Sequence, residues 1–385
     1  MGSSESSNPA AAPRRILVRG VNWLGDAVMT TPALQRLRER FPDAEITLLT
    51  HEKLKDLWTG HPAMDRVLTL GAKEGVWSIG RRLRKERFDL ALLFPNSPRS
   101  GLEAWLGRIP RRIGGAWPWR NWLLTDVVPL APGVVKMRKR TETEVKRLVA
   151  AVVQNSKFKV QSYEGAHQLH HYLRLVAHLG GNPEPLAPKL AVSAEEIAGA
   201  RKMFDLGENQ LWIGLNAGAE YGPAKRWPKE FFIAAAHELQ ASLNCGLVLF
   251  GGNNDVPLTN EISIALETLH VPRSALRVVA GRTSLRELGA TLAVCRALLT
   301  NDTGPMHVAA ALGVPVVVPF GSTSPELTGP GLPGDPRHHL LKSDAACSPC
   351  FLRECPIDFR CMKGIAFERA VAAVRCAVQG DGRSR

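Results

Sequence analysis

Short, mostly apolar runs alternate with longer amphipathic stretches along most of this chain. The runs that predict strands are residues 16–18, 46–49, 67–70, 90–94, 212–215, 247–250, 277–279, 297–300 and 316–319. The stretches that predict helices are residues 26–41, 79–87, 167–179, 228–241, 256–269, 284–294, 304–312 and 366–378. Strands with nearly continuous apolar runs are buried on both faces, which is typical of parallel sheets covered by crossover helices. The pattern therefore predicts an α/β fold.

The same alternation restarts after residues 181–190, a stretch rich in glycine and proline that follows a predicted helix. A chain of 385 residues, 45% of them hydrophobic, is long enough for two domains with separate cores. We therefore predict two Rossmann-like domains, residues 14–180 and 191–345, joined by a linker at 181–190. The other predicted segments are a disordered tail (1–13), a Cys-rich loop (346–364) and a C-terminal helix and tail (365–385).

The formal charge of +13 is unevenly distributed. The three basic runs are Arg81, Arg82, Arg84, Lys85 and Arg87; then Arg108, Arg111, Arg112 and Arg120; then Lys136, Arg138, Lys139 and Arg140. Such runs are often solvated helix faces, but three of them in the first 140 residues also fit an anionic partner. Nucleic acid, a phosphorylated glycolipid and an anionic membrane surface are the candidates.

No apolar stretch reaches the roughly 18 to 20 residues that span a bilayer, and the start of the chain lacks the apolar segment of a signal peptide. These features predict a cytoplasmic protein, in which the seven cysteines argue against a disulfide framework. Four of them, Cys347, Cys350, Cys355 and Cys361, cluster in one loop at a spacing that can hold a tetrahedral zinc or iron ion. Free or redox-active thiols and a disulfide are the alternatives.

Residues 300–313 predict a helix whose first turn faces an anion. A strand precedes it, Asp302 or Thr303 can cap it, and Pro305 suits its first turn. Free backbone N–H groups and the helix dipole attract phosphate at such an end. The alternative is an ordinary capped helix.

The loop after the first strand has the G-x-x-x-x-G spacing of a phosphate-binding loop, from Gly20 to Gly25. The Lys-Ser/Thr pair that such a loop requires is replaced by Asp26-Ala27, and the loop does not match G-x-G-x-x-G either. Neither a P-loop nor a dinucleotide fingerprint is therefore present. Asp26, at the carboxyl end of a predicted strand, is instead a candidate general base, or simply a charge that complements a helix dipole.

A second candidate phosphate loop spans residues 216–228, after the strand that opens the second half. Gly218 and Ala219 let a ligand approach the backbone, and Lys225 offers a positive charge to a phosphate. Together with the helix start at 300–313, this loop gives the predicted second domain two candidate phosphate sites, which predicts that it binds a nucleotide diphosphate. No D-x-D pair occurs to hold a metal ion against a diphosphate, so cationic side chains and helix ends must stabilise its charge.

Four segments together resemble the ADP-heptose:lipopolysaccharide heptosyltransferases, glycosyltransferase family 9. They are Gly25-Asp26, Pro95-Asn96-Ser97, residues 218–228 and residues 301–311. The similarity covers roughly residues 14–330, is most specific in the last two segments, and is greatest to the heptosyltransferase II branch. The resemblance implies a GT-B fold, in which two Rossmann-like domains face each other across the active site.

The resemblance also implies roles for individual residues. The donor-binding residues would be Gly218, Ala219, Glu220, Lys225, Asp302, Thr303, Gly304 and His307. The acceptor-binding residues would be Asn96, Ser97 and Arg99, in the N-terminal domain. Asp26 would be the catalytic base, with Lys225 stabilising the departing diphosphate.

The implied reaction is an inverting, metal-independent transfer of heptose from ADP-heptose to the phosphorylated inner core of lipopolysaccharide on lipid A. It needs no cofactor, and its site is the cytoplasmic face of the inner membrane, which the protein would contact peripherally. The alternatives are a GT-B enzyme with another donor or acceptor, a non-catalytic nucleotide-binding protein, and a nucleic-acid binder. The last lacks aromatic residues interleaved with its basic runs. The resemblance assigns no role to the basic insertion near 134–165.

Overall fold

The computed structural model describes residues 12–130, 137–152 and 166–380, and these form two compact units. The first unit comprises the described residues up to 22, residues 33–130 and residues 171–184. The second comprises residues 23–32, the described part of 131–170, and residues from 185 onward. Of the predicted N-terminal tail, residues 1–11 lie outside the described residues.

Each unit contains a six-stranded parallel sheet. The first has strands β1 (Arg15–Arg19), β2 (Glu45–His51), β3 (Arg66–Leu70), β4 (Leu90–Leu93), β5 (Arg111–Gly115) and β6 (Asp126–Val128). The second has β7 (Trp212–Asn216), β8 (Gly246–Leu249), β9 (Leu276–Val278), β10 (Ala297–Thr300), β11 (Val316–Phe320) and β12 (His339–Lys342). Their orders, β3-β2-β1-β4-β5-β6 and β9-β8-β7-β10-β11-β12, are the same Rossmann order. The predicted pair of Rossmann-like sheets is confirmed.

The helices alternate with these strands. They are α1 (Leu24–Met29), α2 (Thr31–Arg40), α3 (Val76–Glu86), α4 (Pro98–Leu106), α5 (Glu142–Val152), α6 (Gln168–Ala177), α7 (Ala194–Phe204), α8 (Lys229–Leu243), α9 (Val256–Thr268), α10 (Leu285–Val294), α11 (Gly304–Ala311), α12 (Pro325–Thr328), α13 (Arg360–Lys363) and α14 (Phe367–Gly380). None of these helices is long and apolar enough to cross a bilayer.

Apolar strand residues and the inward faces of the helices form the cores. In the second unit, Trp227 and Phe232 are fully buried against the sheet, and α14 packs on α8 and β11. Ser193 begins α7 and Ser284 begins α10, each with a reciprocal bond to a glutamate three residues later. The local sequence therefore fixes where these helices start.

Some predicted elements differ from the structure. The single helix expected over 26–41 is two helices, because Pro32 disfavours helical backbone before it and the hydroxyls of Thr30 and Thr31 bond back to α1. Strand β5 was not predicted because its sequence, Arg-Arg-Ile-Gly-Gly, contains no apolar run. The short edge strands β6 and β12 were not predicted because each contains only two consecutive apolar residues.

Two segments of the predicted N-terminal domain, 14–180, belong to the second unit in the structure. Helix α1 packs against α11, and the backbone N–H of Arg140 donates to the carbonyl of Cys350. Val145, in α5, is buried beside Cys347. These contacts explain why residues 23–32, 137–152 and 166–170 group with the second unit rather than the first. The basic insertion at 134–165 is described only over 137–152.

Candidate active site

Two glycines allow the first turns of α1 and α11 to pack closely. A Cβ on Gly25 would lie 2.6 Å from Cδ2 of His307, and a Cβ on Gly304 would lie 2.8 Å from Cδ2 of Leu24. Any larger side chain at either position would push the two helices apart. This packing brings Asp26, in the first turn of α1, to the start of α11.

The site lies where the strand order of the second sheet reverses, between β7 and β10. Strands β7 and β10 are neighbours at the centre of the sheet, and the loops after them run in opposite directions along the sheet. Open α/β sheets bind their ligands at such a point, beyond the carboxyl ends of the strands. Both predicted phosphate loops follow these two strands.

Buried Asn301 holds the two loops together. Its side-chain amide donates to the carbonyl of Ala217 at 2.8 Å, and its Oδ1 accepts a bond from the N–H of Trp227 at 2.9 Å. The preceding residue, Thr300, accepts a hydrogen bond from Asn216 at 3.0 Å. The loop of residues 217–227 is therefore fixed before any ligand binds.

Partly buried Lys225 forms an ion pair with buried Asp302 between the loops. Nζ of Lys225 lies 2.7 Å from Oδ2 of Asp302 and donates to the Asp302 carbonyl at 3.3 Å. Thr323 donates to the same carboxylate at 2.6 Å, and the ring of Tyr221 lies 5.1 Å from the ammonium. The carboxylate and the aromatic ring orient the ammonium group, which has three donors and keeps capacity for a phosphate.

Asp26 has an environment that makes it a better base than an ordinary aspartate. Burial raises its pKa from 3.8 to about 6; the charge of Lys225 opposes this shift and that of Asp302 reinforces it. No side chain in the described part of the chain donates a hydrogen bond to its carboxylate. A carboxylate with this pKa remains ionised at neutral pH and accepts a proton readily.

The start of α11 presents donors without a side-chain cap. Thr303 occupies the cap position in extended conformation, but its hydroxyl makes no capping bond, and Asp302 is engaged by Lys225. Thr303 is therefore the cap residue by position, as one of the two predicted alternatives has it, but it supplies no side-chain capping bond. Pro305 has no N–H, so the amides of Thr303 and Gly304 are the groups that can meet an anion.

His307, one turn into α11, is 4% exposed. Burial lowers its pKa to about 4, with Asp302 opposing the shift, so the imidazole is neutral at physiological pH. Its Nδ1 has no hydrogen-bond partner among the described residues. A neutral ring with an available nitrogen can hydrogen-bond a sugar hydroxyl or a phosphate oxygen.

The other predicted donor residues lie in the loop after β7. Ala219 is buried and Glu220 is exposed. Gly218 packs against Asp255, because a Cβ on the glycine would lie 2.3 Å from Cγ of that aspartate. Asp255 accepts a bond from the N–H of Gly252 at 3.1 Å.

Sequence reasoning missed Asp255 and Thr323 as members of this site. Both follow strands of the second sheet, in the loops after β8 and β11. The Gly251-Gly252 pair before Asp255 was the available signal, since paired glycines after a predicted strand permit close approach of a ligand.

The three predicted acceptor residues belong to the first unit. Ser97 caps α4 by accepting a bond from the N–H of Ser100, and Arg99 donates to Glu103 at 2.9 Å. Both therefore have structural partners. Asn96, after β4, has a buried Oδ1 that no described residue bonds.

Arg120 is the residue near Asn96 that sequence reasoning missed, since it was counted only as part of a basic run. Its side chain is fully buried, donates to the carbonyl of Pro95, and leaves Nε and Nη2 without partners among the described residues. Burial lowers its pKa to about 10. His171 lies alongside with an unpartnered Nε2, and burial, with the charge of Arg120, lowers its pKa to about 4.

The structure gives no support to the zinc or iron site predicted at the four-cysteine loop. Within the described ranges, no group of three or more His, Cys, Asp or Glu side chains is arranged to hold a metal ion, and all seven cysteines are free. Cys347 and Cys350 pack in an apolar cluster with Val145, whereas Cys361 joins the main core of the unit. Burial, reinforced by the neighbouring thiols, raises the pKa of Cys361 to about 12, so this thiol is protonated at neutral pH.

The structure has two parallel sheets of Rossmann order. In the second, a partly buried cation and a helix start without a side-chain cap lie where the strand order reverses. These are features of a GT-B glycosyltransferase. Residues 132–359 match glycosyltransferase family 9 (heptosyltransferase). The chain is 32% identical to lipopolysaccharide heptosyltransferase 2 of Escherichia coli (strain K12), over 82% of this chain and 85% of that one. It is 30% identical to lipooligosaccharide heptosyltransferase 2 of Haemophilus influenzae, with the same coverage.

The fold agrees with these relatives. The structure of E. coli ADP-heptose lipopolysaccharide heptosyltransferase II superimposes with a TM-score of 0.74 at 27% identity, covering 95% of this chain and 98% of that one. The chain therefore belongs to glycosyltransferase family 9, and the protein is a glycosyltransferase. The predicted family and GT-B fold are confirmed.

Proposed function

We propose that this enzyme transfers heptose from ADP-heptose to the inner core of lipopolysaccharide, as the names of its heptosyltransferase 2 relatives imply for them. The observation that carries the proposal is the grouping of Asp26, Lys225 and the uncapped start of α11 within the second unit. A base, a cation and free amides are the groups that displacement of a nucleoside diphosphate requires.

The reaction is a single displacement with inversion. An acceptor hydroxyl oxygen forms a bond to the anomeric carbon of the heptose while the bond from that carbon to the β-phosphate oxygen breaks. Asp26 takes the hydroxyl proton, and ADP leaves with the bonding electron pair. A pKa of about 6 lets Asp26 be ionised before attack and hold the proton afterwards.

Negative charge grows on the diphosphate as the bond breaks, so groups aimed at it stabilise the transition state more than the ground state. Lys225 and the amides of Thr303 and Gly304 fill this role. These groups supply the stabilisation that a divalent ion provides in other transferases, and we propose that the reaction needs no metal. His307 and Asp255 complete the donor site through hydrogen bonds to the sugar or nucleotide.

Acceptor binding is assigned to the first unit, at the unpartnered atoms of Asn96 and Arg120. A buried guanidinium with free N–H groups suits an acidic sugar or phosphate of the inner core. Because that acceptor is anchored in lipid, we propose that the enzyme works at the cytoplasmic face of the membrane and contacts it peripherally.

The experiment that tests this function offers the purified enzyme ADP-heptose with a panel of truncated core acceptors and measures product mass, anomeric configuration and ADP release. We expect one inverted heptose per ADP released, unchanged in the presence of EDTA. Loss of activity with EDTA would overturn metal independence. Transfer from another nucleotide sugar instead would indicate a different GT-B reaction, and ADP binding without release would indicate a non-catalytic protein.

A further inference from the structure

A groove of about 700 Å³ lies on the surface of the first unit, beside α3 and the end of α4. Two tryptophans and four arginines line it: Trp77, Trp105, Arg81, Arg84, Arg108 and Arg112. None of these residues belongs to the proposed donor or acceptor sites. The function proposed above therefore leaves the groove unexplained.

Helix α3 divides its residues between the core and this groove. Ile79 and Leu83 are fully buried, whereas Trp77, Arg81 and Arg84 are exposed at a spacing of four and then three residues, on one face. Trp77 is 70% exposed. Nothing in the packing of α3 requires an indole at that position, and an exposed large aromatic residue indicates an interaction surface.

The groove carries positive charge that the protein does not neutralise. Arg81, Arg84 and Arg108 form no ion pair with any carboxylate in the described part of the chain. Glu86, an acidic residue of α3, is instead paired with Arg15 and Arg66. The unpaired guanidinium groups therefore favour an anionic partner.

Exposed indoles continue beyond the groove. Trp105 is 45% exposed and packs edge-to-face with Trp122, which is 69% exposed, at 6.5 Å between ring centroids. The fold brings tryptophans and arginines from separate stretches of the chain onto one surface. Indoles favour the boundary between lipid headgroups and acyl chains, and arginine pairs with phosphate there.

We propose that this surface docks the enzyme on an anionic phospholipid bilayer. Trp77, Trp105 and Trp122 enter the headgroup boundary, while Arg81, Arg84 and Arg108 contact lipid phosphates. The inference rests on the proposed function, because a lipid-anchored acceptor requires the enzyme to reach a membrane. It adds the residues that make the contact.

The test measures co-sedimentation of the full-length enzyme with vesicles of phosphatidylglycerol and phosphatidylcholine, and of phosphatidylcholine alone, at low salt. We expect wild-type protein to bind the anionic vesicles only. Each arginine near an anionic surface contributes roughly a fivefold factor, so Arg81→Gln/Arg84→Gln should lower the partition coefficient about 30-fold. Trp77→Ala should lower it about fivefold by removing the apolar contact.

Matched controls change the same charge or apolar area elsewhere. Lys202→Gln/Arg273→Gln removes two positive charges from exposed positions of the second unit, and Ile264→Ala removes a side chain that is 65% exposed. Both should bind vesicles within about twofold of wild type. Circular dichroism of each variant checks that it is folded.

A second readout separates this inference from the proposed reaction. Transfer to a soluble, delipidated core oligosaccharide should be normal in the groove variants, since that acceptor needs no membrane. Docking is overturned if wild-type protein ignores anionic vesicles, or if the groove variants bind them like the controls. It is also overturned if these variants lose the soluble acceptor, because the groove would then bind the saccharide. Failure of transfer in wild type would instead reject the function.

Discussion

The second sheet and the first share one strand order, and each has polar side chains where its central strands end. In the second unit these side chains bond one another: Asp302 is held by Lys225 and Thr323. In the first unit, Asn96 and Arg120 keep buried atoms without partners in the residues described. A site that must stabilise developing charge is preorganised by its own contacts, whereas a site with unsatisfied groups gains its bonds from a ligand.

The largest expected effect is loss of the cation in the preorganised site. Lys225→Met should lower kcat on the order of 10² to 10³-fold, because the departing diphosphate loses a charge-stabilising donor. Lys229→Met is the matched control: Lys229 lies four residues later, exposed and paired with Glu261. Steady-state assays of ADP release compare the two. Equal, near-normal kcat values would remove Lys225 from transition-state stabilisation.

Replacing the base should be nearly as severe. We expect Asp26→Asn to lower kcat at least about a hundredfold with little change in the Kd of ADP-heptose, measured by calorimetry. The same variant should unfold at a higher temperature than wild type at pH 8. The folded pKa lies above the unfolded value, so the ionised carboxylate destabilises the fold at pH values above about 6. That gain should vanish below about pH 4. Normal turnover in Asp26→Asn would contradict its assignment as the base.

The pH profile tests the same residue without mutation. Because the base must be ionised, kcat/KM should be level above pH 7, fall to half near pH 6, and then fall about tenfold per pH unit. This decrease of kcat/KM at acidic pH should be absent from the activity that remains in Asp26→Asn. A midpoint near pH 4 would mean that burial does not shift the pKa of the working base.

The sequence could predict most of this site but not its internal bonding. Lys225 and Asp302 follow neighbouring strands of one parallel sheet, which brings their loops to one edge, as the sequence predicts. Asp26 follows β1 of the other sheet and reaches them because α1 packs against α11. That Asp302 would engage Lys225 rather than cap α11 depends on side-chain geometry across 77 residues of chain. Arg120 could not be singled out from sequence either, because its burial, which distinguishes it from the exposed arginines around it, depends on tertiary packing.

The two asparagines give a direct comparison of the two units. Asn301→Ala should lower the free energy of unfolding by about 2 kcal/mol or more, because buried N–H and C=O groups of the loop lose their partners. Asn96→Ala removes an oxygen that no described residue bonds, and should change stability by less than about 0.5 kcal/mol while raising the acceptor KM. Urea titrations and acceptor kinetics measure both. Equal losses of stability in Asn301→Ala and Asn96→Ala would contradict the distinction between a preorganised and a ligand-dependent site.

The smallest expected effect concerns the glycine that sets the distance between α1 and α11. Gly25→Ala places a methyl group 2.6 Å from the buried ring of His307, so we expect a loss of about 1 to 2 kcal/mol in stability and a reduced kcat, as Asp26 moves with its helix. Gly199→Ala, at a helical position with open space around it, is the control and should stabilise the protein by about 0.5 to 1 kcal/mol. Thermal unfolding should therefore show a lower stability for Gly25→Ala and a higher stability for Gly199→Ala than for wild type. Initial rates should show a changed kcat in Gly25→Ala alone. If Gly25→Ala kept full activity and stability, close packing of these two helices would not be what positions the base.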